Sequence, residues 1–109
     1  MPFGQVIAEA RKKAGLSQKD LASRVKKEDG SPISPQYLND IERDRRNPPS
    51  DFILSQFAKE LNLSIDYLVV IAGKVPDDIN IENYQPEEIE AAIRAFRRTL
   101  RKRDNEMDS

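Results

Sequence analysis

Apolar residues return along this chain every three or four positions, and polar caps or turn formers mark where each run starts and stops. Phe3, Val6, Ile7 and Ala10 step at helical period, and Ala14-Gly15 closes that run with a residue suited to a left-handed C-cap. Leu21, Ala22 and Val25 form the inward face of a second helix behind Ser17, with Asp20 three residues on, which predicts a capping box with Asp in place of Glu. Lys26 to Pro32 breaks the pattern, since Asp29-Gly30 and Ser31-Pro32 are turn formers. Ser34 is the predicted cap of a third helix, and Pro35 suits its first position, where a missing N–H is harmless. Leu38 and Ile41, with part of Tyr37, face inward there.

Asn47-Pro48-Pro49 stops that region. Ser50 is then expected to cap a fourth, with Asp51 favourably set against its dipole and Ile53, Leu54, Phe57, Ala58 and Leu61 as its buried stripe. Ser64 opens a fifth, with Ile65, Leu68, Val69 and Ala72 inward and Gly73 as its end. A linker over 74–85, marked by Pro76, Asp77 and Asp78, leads to a sixth helix at Pro86, whose apolar residues Ile89, Ile93, Phe96 and Leu100 step by four, three and four. No strand alternation or internal repeat is visible. The expected architecture is all-α: a five-helix domain over 1–73, the linker, an amphipathic helix over 86–103 and a disordered tail over 104–109.

Composition narrows the function. A chain of 109 residues suits one modest core rather than a deep catalytic cavity. It has no Cys and no His, which removes disulfides, thiolate metal sites and the commonest general base and metal ligand. No carboxylate or Ser-Lys constellation, Gly-rich phosphate loop or calcium-loop spacing stands in their place, so neither an enzyme nor a cofactor or metal protein is expected. No apolar run reaches the length of a membrane span, and the start has its charges after a short apolar stretch, the wrong order for a secretion signal. A cytoplasmic protein is expected.

The net charge of -1 hides an asymmetry. Residues 1–50 hold ten Lys/Arg against seven Asp/Glu, a net of +3; residues 51–85 hold two against six, a net of -4; residues 86–109 hold six of each. Local field governs phosphate contact more than the total does, and the positive part carries the two short capped helices. Two short helices joined by a turn, the second with a polar outer face, are a means of placing side chains in a DNA major groove.

Between about Ile7 and Leu68 the chain resembles the helix-turn-helix domain of the lambda-repressor/Cro-like, or Xre, family of transcription regulators. The resemblance rests on Arg11, Gly15-Leu16-Ser17-Gln18, Leu21-Ala22, Ser34, Tyr37-Leu38, Ile41-Glu42, Arg45-Arg46-Asn47-Pro48, Leu54, Ala58 and Leu61. It implies a compact five-helix bundle and a nucleoid-associated protein that binds double-stranded DNA in the cytoplasm. One departure is plain: Lys26 to Ile33 is longer by about six residues than the family's tight turn. It either reaches the phosphate backbone or only lengthens a solvated loop; lengthening a loop adds little closure entropy.

The resemblance assigns roles residue by residue. Gln18, with Lys19 beside it, holds phosphate at the start of the second helix. On the third helix Gln36, Asn39, Asp40 and Arg43 share the face opposite Leu38 and Ile41. Gln36 pairs with adenine, and Asp40 either accepts from a cytosine amino group or is an exposed acid without a base contact. Ser34, Pro35 and Tyr37 border that face; Pro35 offers apolar contact alone, and Tyr37 divides its ring and hydroxyl between core and phosphate. Arg43, Arg45 and Arg46 position the protein on the backbone. Arg11 and Glu42 form a structural salt bridge.

The last helix lies outside the resemblance. Ile89, Ile93, Phe96 and Leu100 form a narrow seam that packs in cis or against a second copy, and a homodimer would read two half-sites about 34–36 Å apart. The expected function is therefore a sequence-specific DNA-binding regulator, a repressor acting as a homodimer. The alternative is an antitoxin-type protein that binds a protein partner through its last helix and regulates its own promoter.

Overall fold

The computed structural model describes residues 2–108, with side-chain surroundings for residues 2–103. The described residues form six α-helices and one 3-10 turn: α1 Phe3–Lys13, α2 Gln18–Arg24, α3 Pro35–Glu42, α4 Asp51–Leu61, α5 Ile65–Ile71, the 3-10 turn Ile81–Asn83 and α6 Pro86–Asp108. The expected all-helical fold is what the chain adopts. It divides into two compact units, Met1–Pro76 and Asp77–Ser109.

The caps explain why the short helices form. Ser17 and Asp20 exchange both bonds of a capping box at the head of α2, Ser17 Oγ accepting from the Asp20 N–H at 3.0 Å and Asp20 Oδ2 from the Ser17 N–H at 3.2 Å. The Ser17 N–H, and after it the Ser17 hydroxyl, hold the Asp20 carboxyl below its ordinary value of 3.8. Ser34 caps α3 through the Tyr37 N–H at 3.0 Å, with Pro35 behind it, and Ser64 caps α5 through the Tyr67 N–H. Ser50 departs from expectation. It sits at the N-cap of α4 in an extended conformation, yet its side chain makes no capping bond.

In the first unit α3 packs on α1 and α2, while α4 packs on α1 and α5. The centre is Ile7, Leu21, Leu38, Ile41, Leu54, Phe57 and Leu68, all fully buried. Fully burying side chains of this size contributes about 1.5–3 kcal/mol each, enough to offset the weak intrinsic helicity of seven- and eight-residue segments. Ile65 was expected inside with Leu68 but is exposed. It has the right angular position but is the first residue of α5, and a helical wheel carries no coordinate along the axis.

Two close approaches seat α1 on α3. Gly4 lies against the carbonyl oxygens of Ile41 and Glu42, where a Cβ would collide with backbone. Its N–H donates to Asp44 Oδ1 at 2.9 Å. Asp44, held at φ +55° just past α3, therefore caps α1, whose local N-cap, Pro2, has no side-chain bond.

The insertion between α2 and α3 is built as a small hairpin. Lys26 and Pro32 form an isolated antiparallel bridge, Lys27 N–H donates to Ser31 O at 2.7 Å, and Gly30 turns the chain at φ +87°. Asp29 Oδ1 accepts from the Ser31 hydroxyl and N–H at 2.6 and 2.9 Å, and these bonds hold its carboxyl below the ordinary value. Ile33, at the foot, is buried in the core. From α4, Gln56 holds the first arm of the hairpin at Lys26: its Oε1 accepts from Lys26 N–H at 2.6 Å and its Nε2 donates to Lys26 O at 2.7 Å.

The second unit holds the 3-10 turn and α6. Helix α6 continues five residues past 103, where the sequence predicted a disordered tail over 104–109; no Gly or Pro interrupts that stretch. The side chains of that stretch lie outside the described residues. Ile79, Ile81 and Tyr84 are exposed, as are Ile93, Phe96 and Leu100, at 44%, 53% and 51%. Ile89 is half-buried.

Candidate nucleic-acid interface

Helix α3 presents two different faces. Leu38 and Ile41 are buried, fixing one side against α1 and α2. Ser34, Pro35, Gln36 and Arg43 are exposed on the other, with Asn39, Asp40 and Tyr37 half-buried along its edges. The spacing of three and four residues expected for Gln36, Asn39, Asp40 and Arg43 does bring them onto one surface.

These polar groups are bonded to one another. Gln36 Nε2 donates to Asp40 Oδ1 at 3.0 Å. The same carboxylate draws in Arg45 Nη1 at 3.8 Å and Arg46 Nε at 3.6 Å. Arg46 also lies over the Tyr37 ring, 5.1 Å from its centroid, a cation–π arrangement that fixes the guanidinium beside α3. Asp40 thus orients the amide of Gln36, whose oxygen is left to accept, and holds two arginines at the helix edge. With Arg43, the cluster has three guanidinium groups against one carboxylate, so its local sign stays positive.

A second network ties the helices behind that surface. Arg11 donates to Glu42 through Nε at 2.7 Å and Nη2 at 3.0 Å, a bidentate pair, and Arg11 Nη1 donates to Leu16 O at 2.8 Å. Arg11 is only 8% exposed. Glu42 Oε1 also accepts from Gln18 Nε2 at 3.0 Å, and that amide reaches Asn39 Oδ1 at 3.1 Å, where Arg43 Nε arrives at 3.3 Å. Gln18, which the resemblance makes a phosphate-holding group, has its amide nitrogen bonded to Asn39 and Glu42 of α3. Its neighbour Lys19 is exposed.

Three contributors have no local signature. Asp44 and Gln56 act on groups 40 and 30 residues away, and Gly4 matters through a backbone approach. The hairpin adds the exposed Lys27 and Glu28 to the rim of an open cleft of about 500 Å³, whose other side is Gln36, Tyr37, Asp40 and Arg46. No helix among the described residues is long and apolar enough to cross a membrane.

Comparisons with known proteins point the same way. A family model described as helix-turn-helix matches residues 7–68, more than half of the chain. The HTH-type transcriptional regulator ImmR of Bacillus subtilis is 36% identical over 83 residues, covering 76% of this chain and 56% of ImmR. An uncharacterized HTH-type transcriptional regulator of Mycobacterium tuberculosis, MT0491, is 40% identical over 70 residues, 64% of this chain and 45% of that protein. The chain thus spans about half the length of these curated relatives. Among solved structures, a chain of the SinR protein/SinI protein complex superposes with a TM-score of 0.51 over 98% of this chain and 99% of that one, at 22% identity, a likeness of fold.

Proposed function

The chain belongs to the helix-turn-helix family, in its Xre or lambda-repressor-like form, and from that membership we propose that it binds duplex DNA through α3 and represses transcription as a homodimer in the cytoplasm, at the nucleoid. The family is one of DNA-binding transcriptional regulators rather than an enzyme class. The observation that carries the reading is the division of α3: a buried face locked to α1 and α2, and a solvent face of polar side chains bordered by arginines.

In this reading the first two turns of α3 enter the major groove, and Gln36, pre-oriented by Asp40, reads a base edge, adenine being the partner that fits an amide. Pro35 adds apolar contact, Ser34 and Asn39 stand at the groove margin, and Asp40 meets a cytosine amino group where it meets a base at all. Arg43, Arg45, Arg46 and Lys19 hold phosphates, with Tyr37 and Gln18 completing the backbone contacts. Arg45 and Arg46 are more than half exposed and reach a phosphate by exchanging the long, weak contact with Asp40 for a stronger anion.

Two substitutions separate the roles. Gln36→Ala lowers affinity by about 1–3 kcal/mol on the preferred sequence and little on others; Arg46→Ala weakens every duplex alike and lowers the salt slope by roughly one unit. Equal losses on all sequences for both variants would overturn the assignment. The exposed seam of α6 supports a second reading, in which an antitoxin-type partner protein docks there while the chain regulates its own promoter. Light scattering on the pure chain decides between them, because a stable homodimer covers that seam with its own copy.

A further inference from the structure

Resting on the homodimer reading above, we infer that α6 pairs antiparallel with α6 of a second copy, about an axis passing between Arg94 and Ala95. The seam has the same spacing from either end: Ile89, Ile93, Phe96 and Leu100 step by four, three and four. Two antiparallel copies therefore set Ile89 against Leu100 and Ile93 against Phe96, with a large apolar residue in every layer. This alternation of three and four is the contact geometry of paired helices. Three of the four side chains are 44–53% exposed, and every residue of the second unit up to Arg103 is exposed or half-buried.

The seam alone would also permit a parallel pair, so charge decides the orientation. The first turns of α6 are acidic, with Glu87, Glu88 and Glu90; the stretch 97–103 is basic, with Arg97, Arg98, Arg101, Lys102 and Arg103, before Asp104, Glu106 and Asp108 follow. A parallel pair stacks acid on acid and base on base. In the antiparallel register Glu90 and Arg97, which flank the seam on the same side, come together, Glu90 of each copy beside Arg97 of the other. Each contact occurs twice by symmetry, so the surface is self-complementary, as a two-fold interface requires. These charges are not satisfied along the helix: among the described residues no ion pair joins two side chains of α6, although Glu90 and Arg94 stand in the favourable i, i+4 order. A basic or acidic foreign helix would complement one half of α6 and be repelled by the other.

The absence of cysteine makes the register directly testable in the full chain. Under a glutathione redox buffer, Ile89→Cys/Leu100→Cys should close into a covalent dimer, because the paired positions come within disulfide reach. Ile89→Cys alone should not cross-link, because its two copies stand about 16 Å apart along the axis, eleven residues at the helical rise. Cross-linking of Ile89→Cys or Leu100→Cys singly would establish a parallel pair and overturn the register while leaving the homodimer intact. A chain monomeric in light scattering at every concentration would overturn the homodimer as well. Charge exchange gives an independent check. Glu90→Arg and Arg97→Glu should each weaken self-association tenfold or more, and mixing the two should restore a one-to-one dimer. Failure of the mixture to recover would contradict the pairing.

Discussion

Replacing Glu42 by Gln isolates the charge at the junction of the first three helices. The native carboxylate receives two bonds from Arg11, at 2.7 and 3.0 Å, and one from Gln18, at 3.0 Å, with side-chain exposures of 10% for Arg11 and 5% for Glu42. At that depth water does not replace the lost charge, and an orphaned buried ion typically destabilises by about 3–5 kcal/mol. The Gln amide oxygen still accepts one bond, which places Glu42→Gln near the lower end, at about 3 kcal/mol. For a cooperative unit of this size that corresponds to a fall in Tm of roughly 12–24 °C. Urea titration followed by circular dichroism should show the midpoint fall with the slope unchanged. Arg11→Met/Glu42→Met, which removes both charges, should recover much of the loss, because it leaves no uncompensated ion. A single variant within about 1 kcal/mol of the parent, or a double variant as unstable as the sum of its singles, would refute the argument.

Other expectations follow from the same structure. Asp44→Ala removes the cap of α1 and leaves a non-Gly residue at positive φ, so it should destabilise by about 1–2 kcal/mol, while Asp44→Asn, which keeps the acceptor and tolerates φ > 0, should stay near the parent in a thermal melt. The Asp20 carboxyl is depressed in the folded state, so its stabilisation is present above the unfolded value of 3.8 and is lost as pH falls through the lower folded value; Asp20→Asn should flatten the stability curve below pH of about 4, and an unchanged acid limb would remove the capping box from the account. Gln56→Ala should release the hairpin, seen as faster hydrogen exchange at Lys27 and Ile33 with the core amides unchanged. Asp40→Asn should raise affinity for all duplexes and narrow the gap between preferred and random sequences, because it frees two arginines while loosening the hold on Gln36.

Local grammar made the helices readable. Ser17 with Asp20 and Ser34 with Pro35 act within one turn, so their geometry follows from residues three apart. The buried stripe of α4, Ile53 to Leu61, is likewise a property of one segment. What the sequence left hidden acts across distance. Nothing near Gly4 announces that Ile41 and Glu42 will approach it, and nothing near Lys26 names Gln56 as its partner. The insertion, which the sequence leaves open between a solvated loop and a phosphate-reaching arm, folds as a hairpin held by Gln56, with Ile33 in the core. The candidate residues of α3 share a face as their spacing implied, but their mutual bonds depend on rotamers that spacing does not determine.

The most direct test of the central claim is selection from a random duplex library, with binding of the winners followed at about 50 and 200 mM salt. The account predicts an inverted repeat with half-sites about one helical turn apart, bound with a steep salt dependence yet preferred over random duplex at both concentrations. Recovery of no consensus, with weak binding erased at the higher salt, would contradict it: α3 would then not read sequence.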